Sequence, residues 1–380
     1  MTFERHYLDW NATAPLRAEA RTAMIEAMDL VGNPSSVHAE GRRARRIVED
    51  AREKVAALVG ARPAEVVFTS GATEANNWVV GRTWGSVLFS RLEHPSVVAP
   101  ALASDGEIVE LKVTGAGVLD LADLEQWLSS HRDRLARTPG RTLLAIQAAN
   151  NETGIIQPLA AAAQLAADHG VLTLSDAVQA VGRLPVDFAA SKLAFLTLTA
   201  HKLGGPKGVG AVVAREGAPL PPRIIGGGQE RGRRAGTENV AAIAGFGAAA
   251  AAARGEIDYF GSLMGLRDRL ERAVLAATPD AIVVGSGGPR LANTTCIALA
   301  GRTAETLVAA LDLSGVAVSA GSACSSGKVT ASPVLAAMGL SHEMARAAIR
   351  VSIGPTTSSG DIDAFVAAWS RIARPAANAA

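Results

Sequence analysis

The sequence predicts an α/β fold: a large unit with a mostly parallel seven-stranded sheet, followed by a smaller α+β unit. Three observations lead there. Seven short apolar runs (66–69, 87–89, 108–111, 142–148, 171–174, 194–198 and 209–214) are separated by helical segments or turns. Strands alternating with helices argue for a parallel sheet covered on both faces. The chain has 380 residues, 48% of them hydrophobic, which exceeds a single ordinary core and makes two domains the expectation. Beyond Ala277 the composition changes, with apolar strands at 282–284, 293–299, 316–318 and 348–353 interleaved with helices near 303–313, 333–339 and 360–373.

Taken in order, residues 1–15 read as extended and polar, with Asn11 and Pro15 marking a turn. A helix fits 16–30. The turn Gly32-Asn33-Pro34-Ser35-Ser36 then offers an N-cap for a long helix ending near Gly60. Arg42, Arg43, Arg45 and Arg46 cluster on that helix, but Glu40, Glu49, Asp50 and Glu53 lie among them at helical spacing, which is the pattern of a solvated face. After the alternating region, Gly226-Gly227-Gly228 opens a polar, arginine-rich loop through Asn239, too polar to be core. An Ala-rich helix follows, then an amphipathic helix around 256–277. The domain boundary is expected near 255–260, giving a large domain of residues 15–257 and a small one made of 1–14 and 258–380.

The bulk properties exclude several classes. Lys and Arg total 37 against 36 Asp and Glu, a net charge of +1. That leaves no electrostatic footprint for nucleic acid or an anionic membrane. The two cysteines, Cys296 and Cys324, are too few for a disulfide framework, and no spacing suggests zinc. The N-terminus lacks a basic-then-apolar signal pattern, and outside Ala-rich helical stretches no apolar run is long enough to span a bilayer. A cytoplasmic, reducing compartment is expected.

The chemistry centres on 196–210, LTLTAHKLGGPKGVG, a short strand running into a His-Lys pair and a glycine-rich turn. Alone, Lys202 would read as a surface lysine in a loop. At the end of a buried strand its charge is costly, and a neutral amine there can condense with an aldehyde. Its company favours that reading. Ser175-Asp176-Ala177-Val178-Gln179 follows another apolar strand, and an Asp with a Gln three residues on could serve the nitrogen and phenolic oxygen of one flat ring, pyridoxal phosphate (PLP). Phe68-Thr69-Ser70-Gly71-Ala72-Thr73-Glu74 is a strand, small-residue turn and helix start, suited to a phosphate or simply to a common turn. His94, in Glu93-His94-Pro95-Ser96, is either a core residue or an acid–base group over the ring. Asn150-Asn151-Glu152-Thr153-Gly154 either makes a turn or offers Asn151 to the ring oxygen or substrate. All five motifs fall at the carboxyl ends of strands, where open parallel sheets gather their ligands.

The remaining informative stretch is 319–327, SAGSACSSG. Cys296 sits among apolar neighbours, as a packing cysteine does. Cys324 lies among small polar residues and glycines, where a thiol is an oxidation liability unless it is needed as a nucleophile.

Together, FTSGATEANN, EHPSV, NNETG, SDAVQAVG, HKLGGPKGVG, GGGQERGRRAGTEN and SAGSACSSG resemble the motifs of the cysteine desulfurases. These are fold-type I PLP-dependent enzymes of the class V aminotransferase superfamily. The resemblance runs from about residue 7 to 357 and is to the long-loop group that serves iron–sulfur cluster assembly, including nitrogen-fixation-type members. It implies that Lys202 is the Schiff-base lysine, that Asp176 pairs the ring nitrogen, and that His94 stacks on the ring. Gln179 and Asn151 would reach the ring oxygen or the substrate. Ala72, Thr73, Thr199 and His201 would hold the phosphate, with Thr237 contributed by the partner subunit of a homodimer. Arg350 would clamp the substrate carboxylate. Cys324 would take sulfur from L-cysteine as a persulfide, leave L-alanine, and pass the sulfur to an acceptor or iron–sulfur scaffold protein. No resident metal is implied, although Cys324 could ligate a cluster iron transiently.

Two features depart from the pattern: Asn-Ala-Thr-Ala-Pro at 11–15, where relatives often have Thr before the proline, and a tail after the last helix shorter than the one by which housekeeping relatives dock a scaffold. The rival readings are a selenocysteine lyase or aminotransferase on the same fold, and a non-catalytic sulfur relay using Cys324 alone. An aminotransferase has no use for Cys324, and a relay none for Lys202, Asp176 and His94.

Overall fold

The computed structural model describes residues 5–321 and 331–373. The extended N-terminal segment contains strand β1 (His6–Tyr7). Helices α1 (Ala18–Met28) and α2 (Ala39–Leu58) follow. The cap of α2 is His38, whose Nδ1 accepts from the Gly41 amide, and not a residue of the earlier turn at 32–36. On α2 the four clustered arginines are exposed while Ala44, Val48, Ala51 and Val55 are buried, as a solvated face requires.

The main sheet is built from β2 (Val66–Thr69), β3 (Ser86–Phe89), β4 (Glu107–Glu110), β5 (Thr142–Ala145), β6 (Leu172–Asp176), β7 (Phe195–Thr199) and β8 (Gly210–Ala214). Between them run α3 (Ala72–Val80), α4 (Pro95–Leu102), α5 (Leu121–Ser130), α6 (Arg132–Arg137) and α7 (Leu159–Asp168). The strand order is β2-β8-β7-β6-β5-β3-β4; β8 runs antiparallel to both neighbours and the other pairings are parallel. Strands β2, β3, β5, β7 and β8 are buried throughout, which is why they read as continuous apolar runs. Edge strand β4 is mostly exposed and carries Glu107 and Glu110, charges that discourage further pairing. The apolar run at 142–148 overstates its strand: β5 ends at Ala145 and the chain bends towards Asn150.

The Ala-rich segment is α8 (Val240–Gly255), whose small side chains let it lie along α1 and α2. The single helix expected over 256–277 is two, α9 (Ile257–Ser262) and α10 (Met264–Ala277). Gly261 and Gly265 flank the break, where helix propensity is lowest. Then come β9 (Ala281–Val283), β10 (Thr294–Leu299), α11 (Ala304–Leu313), β11 (Val316–Ala317), β12 (Ser319–Ala320), α12 (Pro333–Ala337), α13 (His342–Arg346), β13 (Ala348–Ser352) and α14 (Ser359–Ile372). An antiparallel sheet of order β12-β13-β10-β9 forms here, and β1 pairs with β11. Leu8 packs with Ile297, Ile349, Phe365 and Trp369, so the N-terminal segment belongs to this second core. A separate core holds Val55, Phe68, Leu196 and Phe246.

The 226–239 loop is not wholly outside the core. Glu230 is buried and accepts from both Nη atoms of Arg52 at 2.7 and 2.9 Å and from the Phe68 amide at 2.9 Å. Glu230 and Arg231 take positive φ (48° and 58°), a strained backbone held in place by that anchor. Among the described residues no single helix is long and apolar enough to cross a membrane.

Candidate active site

The five motifs lie beyond the carboxyl ends of β2, β3, β5, β6 and β7 and open onto one cavity of about 630 Å³. Ala72, Thr73, His94, Asn151, Asp176, Gln179, Thr199, His201, Lys202 and Arg350 all line it. Thr237 does not; it lines a neighbouring hollow with Ser70 and Gly208. Cys324 lies outside the described residues, but Gly321, at the start of its segment, reaches the cavity wall.

Asp176 ends β6, where the pleat turns its carboxylate into a buried position. Its Oδ1 accepts from the Val178 amide at 3.1 Å and its Oδ2 from Asn76 Nδ2 at 2.8 Å. Gln179 is committed inward: its Nε2 donates to the Asn11 carbonyl at 3.1 Å, and Arg183 donates to its Oε1. The same guanidinium donates to Asn11 Oδ1 at 2.7 Å, and burial with the nearby Arg350 charge lowers the Arg183 pKa to about 9. Asn11 is therefore a structural hub as well as a turn residue.

Lys202 ends a short 3-10 turn (Ala200–Lys202) after β7. Its Nζ donates to the carbonyls of Ala12, at 2.7 Å, and Asn11. Lys207 shares the cavity, so Lys202 is not the sole lysine there. It is the less exposed of the two. His201 is pushed down to about 4 by burial and the positive charges of Lys202 and Lys207, so it is a neutral imidazole at ordinary pH.

The turn before α3 makes an anion cradle. Gly71 is the N-cap and has no side chain to satisfy the first-turn amides, which leaves N–H groups and the positive helix end for a ligand. A Cβ on Gly210 would lie 2.8 Å from the Gly71 backbone, so a glycine is what lets β8 approach this turn. Thr199 lines the cavity, but its hydroxyl donates to the Val209 carbonyl at 3.1 Å.

The Asn pair divides its labour. Asn150 is buried and makes the turn, its Oδ1 accepting from the amides of Glu152 and Thr153, each at 2.9 Å. That leaves the Asn151 side chain to the cavity. Arg350 donates to the Asn151 carbonyl at 3.0 Å and to Asp9 Oδ1 at 2.8 Å, while its buried Nε has no hydrogen-bond partner among the described residues. Burial raises Glu152 to about 7, partly offset by the Ser332 hydroxyl that donates to its Oε2 at 2.6 Å. Burial also pushes Glu93 well above the usual carboxylate range. Cys296 is buried, and its thiol pKa is raised by that burial and by Glu152, consistent with a packing role.

A carboxylate for a ring nitrogen, an amine, a histidine and a helix-start anion cradle in one cavity fit the donor set PLP needs. Sequence reasoning missed Asp9, Asn76, Ser96 and Lys207. Asn76 alone left a readable signal, a polar residue on the buried face of a helix.

The aminotransferase class-V family model matches residues 6–365. A curated relative, the cysteine desulfurase of Cereibacter sphaeroides, is 41% identical over 372 residues, covering 95% of this chain and 93% of its own. The structure of a NifS-like protein from Rickettsia africae superposes with a TM-score of 0.89 at 32% identity, covering 97% of this chain and 99% of the other. A structure described as SspA in complex with cysteine superposes at 0.77, with 27% identity over 93% of this chain and 100% of that one. The chain belongs to the aminotransferase class-V family. Within that family it stands among the cysteine desulfurases.

Proposed function

We propose that the protein uses PLP to convert L-cysteine to L-alanine, leaving the sulfur as a persulfide on Cys324 for transfer to an acceptor in iron–sulfur cluster assembly. The observation that carries this reading is the gathering of Lys202, Asp176, His94 and the uncapped α3 start around one cavity. The structural neighbour described in complex with cysteine supports the substrate class.

When bound, PLP supplies an electron sink for the substrate α-carbon. The α3 amides at Ala72 and Thr73, with His201, would hold its phosphate, and the Asp176 carboxylate would pair with its ring nitrogen. Lys202 would anchor it and, once released, serve as the base that takes the α-proton. Arg350 would receive the substrate carboxylate, and His94 would move protons near the departing sulfur. The Cys324 thiolate would attack the substrate sulfur: an S–S bond forms, the C–S bond breaks, and its electron pair stays on carbon, which takes up a proton to yield alanine.

We infer a domain division of 15–257 against 1–14 with 258–380; the cluster that joins Leu8 to residues beyond 258 supports it, while Leu92 and Ile155 pack with Cys296 and Ala298 across it. We also infer a homodimer, with Thr237 reaching the partner's phosphate site. Val31, Val37 and Ile225 are exposed apolar residues on adjoining segments, linked where Gln229 donates to Ser35 Oγ at 3.3 Å, and a second copy would cover them. A cytoplasmic setting suits the thiol chemistry.

The test is to supply L-cysteine to the PLP-loaded protein and measure alanine and sulfane sulfur together, in the native chain and in Cys324→Ser. Equal yields are expected from the native chain. The variant should bind PLP but form no persulfide and essentially no alanine. Alanine at the native rate from Cys324→Ser would remove Cys324 from the reaction and leave a lyase of another kind.

A further inference from the structure

Asn76 is fully buried on α3, with both Nδ2 protons and its Oδ1 engaged in hydrogen bonds. Nδ2 donates to Asp176 Oδ2 at 2.8 Å and to Ser96 Oγ at 2.9 Å, while Oδ1 accepts from Thr197 Oγ1 at 2.6 Å. The partners fix which way round the amide sits. A carboxylate only accepts, so Nδ2 faces Asp176 and Oδ1 faces the threonine hydroxyl. Ser96 Oγ, having accepted from Asn76, has its own proton to give, and His94 Nδ1 lies 2.8 Å away. The Ser96 backbone amide also points at that nitrogen, at 3.1 Å. A backbone N–H can only donate, so Nδ1 carries no proton and the neutral imidazole is protonated at Nε2. A chain of hydrogen bonds therefore runs from the end of β6 to the N-cap of α4, Asp176 to Asn76 to Ser96 to His94.

We propose that Asn76 is a positioning residue for the desulfurase reaction. It sets the Asp176 carboxylate and the His94 imidazole in one fixed relation, acting through Ser96 Oγ on a ring whose Nε2-protonated tautomer the Ser96 backbone amide selects. It is not among the residues lining the cavity and acts only through its neighbours. The inference rests on the roles proposed above for Asp176 and His94. An amide is the group this position requires, because it offers two donors and an acceptor from one short stem. Aspartate would face a carboxylate with a carboxylate, and leucine would leave Asp176, Ser96 and Thr197 each short of a partner.

The experiment combines ¹⁵N-histidine spectra of the protein without PLP with steady-state kinetics of the PLP-loaded enzyme on L-cysteine. It uses Asn76→Asp, Asn76→Leu, Ser96→Ala and the Asn76→Leu/Ser96→Ala pair. In the native protein His94 should read as protonated at Nε2. Both Asn76 variants should keep the Nε2-protonated tautomer but shift the His94 ring ¹⁵N resonances, and lower kcat by about tenfold or more, with KM changed less than about threefold. Ser96→Ala should shift the same resonances with a smaller loss of kcat, since the Asp176 arm survives. The pair should be no worse than Asn76→Leu alone within about twofold, because the arm to His94 is already broken. If Asn76→Leu does not fold, the isosteric Asn76→Asp carries the test. Native-like His94 resonances and kcat in Asn76→Asp would overturn the proposal, as would independent multiplication of the two single effects. Failure of the native chain to take PLP or cysteine would instead strike the proposed function, and the His94 resonances in the unloaded protein would still report on Asn76.

Discussion

Arg350 and Asp9 meet at 2.8 Å, tying β13 to the N-terminal segment at the rim of the cavity. The second carboxylate oxygen of Asp9 accepts from Ser319 Oγ at 2.7 Å, so the same acid also steadies the strand that leads towards Cys324. In the proposed reading a substrate carboxylate would meet here a guanidinium already paired on one side, with a buried Nε that has no hydrogen-bond partner among the described residues.

Arg350→Lys should therefore impair substrate binding while sparing the cofactor. A lysine cannot serve Asp9, the Asn151 carbonyl and an incoming carboxylate from one planar fork. KM for L-cysteine is expected to rise about tenfold or more, with PLP occupancy unchanged. Unchanged KM would place the carboxylate elsewhere.

Lys202 and Lys207 both face the cavity, and covalent mapping separates them. Borohydride reduction of the PLP-loaded protein should fix the pyridoxyl group on the peptide containing Lys202. Lys202→Ala should lose that label and essentially all alanine production, whereas Lys207→Ala should keep the label. Recovery of the group on Lys207 would overturn the assignment.

Glu152 makes stability depend on pH. Its carboxyl is raised from 4.5 to about 7 in the folded chain, chiefly by burial. The native state thus holds a proton that the unfolded chain has released. Its stabilising contribution is complete below about pH 4.5 and is lost as pH rises through about 7. Gly321 is so close that a Cβ there would lie 2.9 Å from Glu152 Oε2, so the charged form is confined beside backbone rather than water. Glu152→Gln removes the titration. Its unfolding free energy relative to native should grow between pH 5 and 8 by up to roughly 3 kcal/mol. Parallel urea-unfolding midpoints across that range would show that the carboxyl is not raised.

The Arg52–Glu230 pair should behave as a buried ion pair does. Arg52→Met leaves Glu230 charged in the core and should cost about 3–5 kcal/mol in urea unfolding. The Arg52→Met/Glu230→Leu pair should recover most of that loss in the same measurement, though the positive φ at Glu230 and Arg231 limits the recovery. A single variant as stable as the native chain would mean that the loop is not anchored there.

Much of this molecule could be read directly from its residues. The apolar runs located the strands of the main sheet, most of them because strands buried on both faces need no polar alternation, and a parallel sheet brings its carboxyl ends to one side. That topological rule alone placed Ala72, His94, Asn151, Asp176 and Lys202 around one cavity. What the sequence could not supply was the partner of each polar group. Asp9 and Arg350 are 341 residues apart, and Asn76 and Asp176 are 100 apart. Arg52 looks like its exposed neighbours on α2 until the loop carrying Glu230 folds over it. Local pattern sets which face of an element is apolar, because period and propensity act over a few residues. The pairing of buried polar groups is decided only when distant elements pack, since each such group must then find in the protein the hydrogen bond it gave up in water.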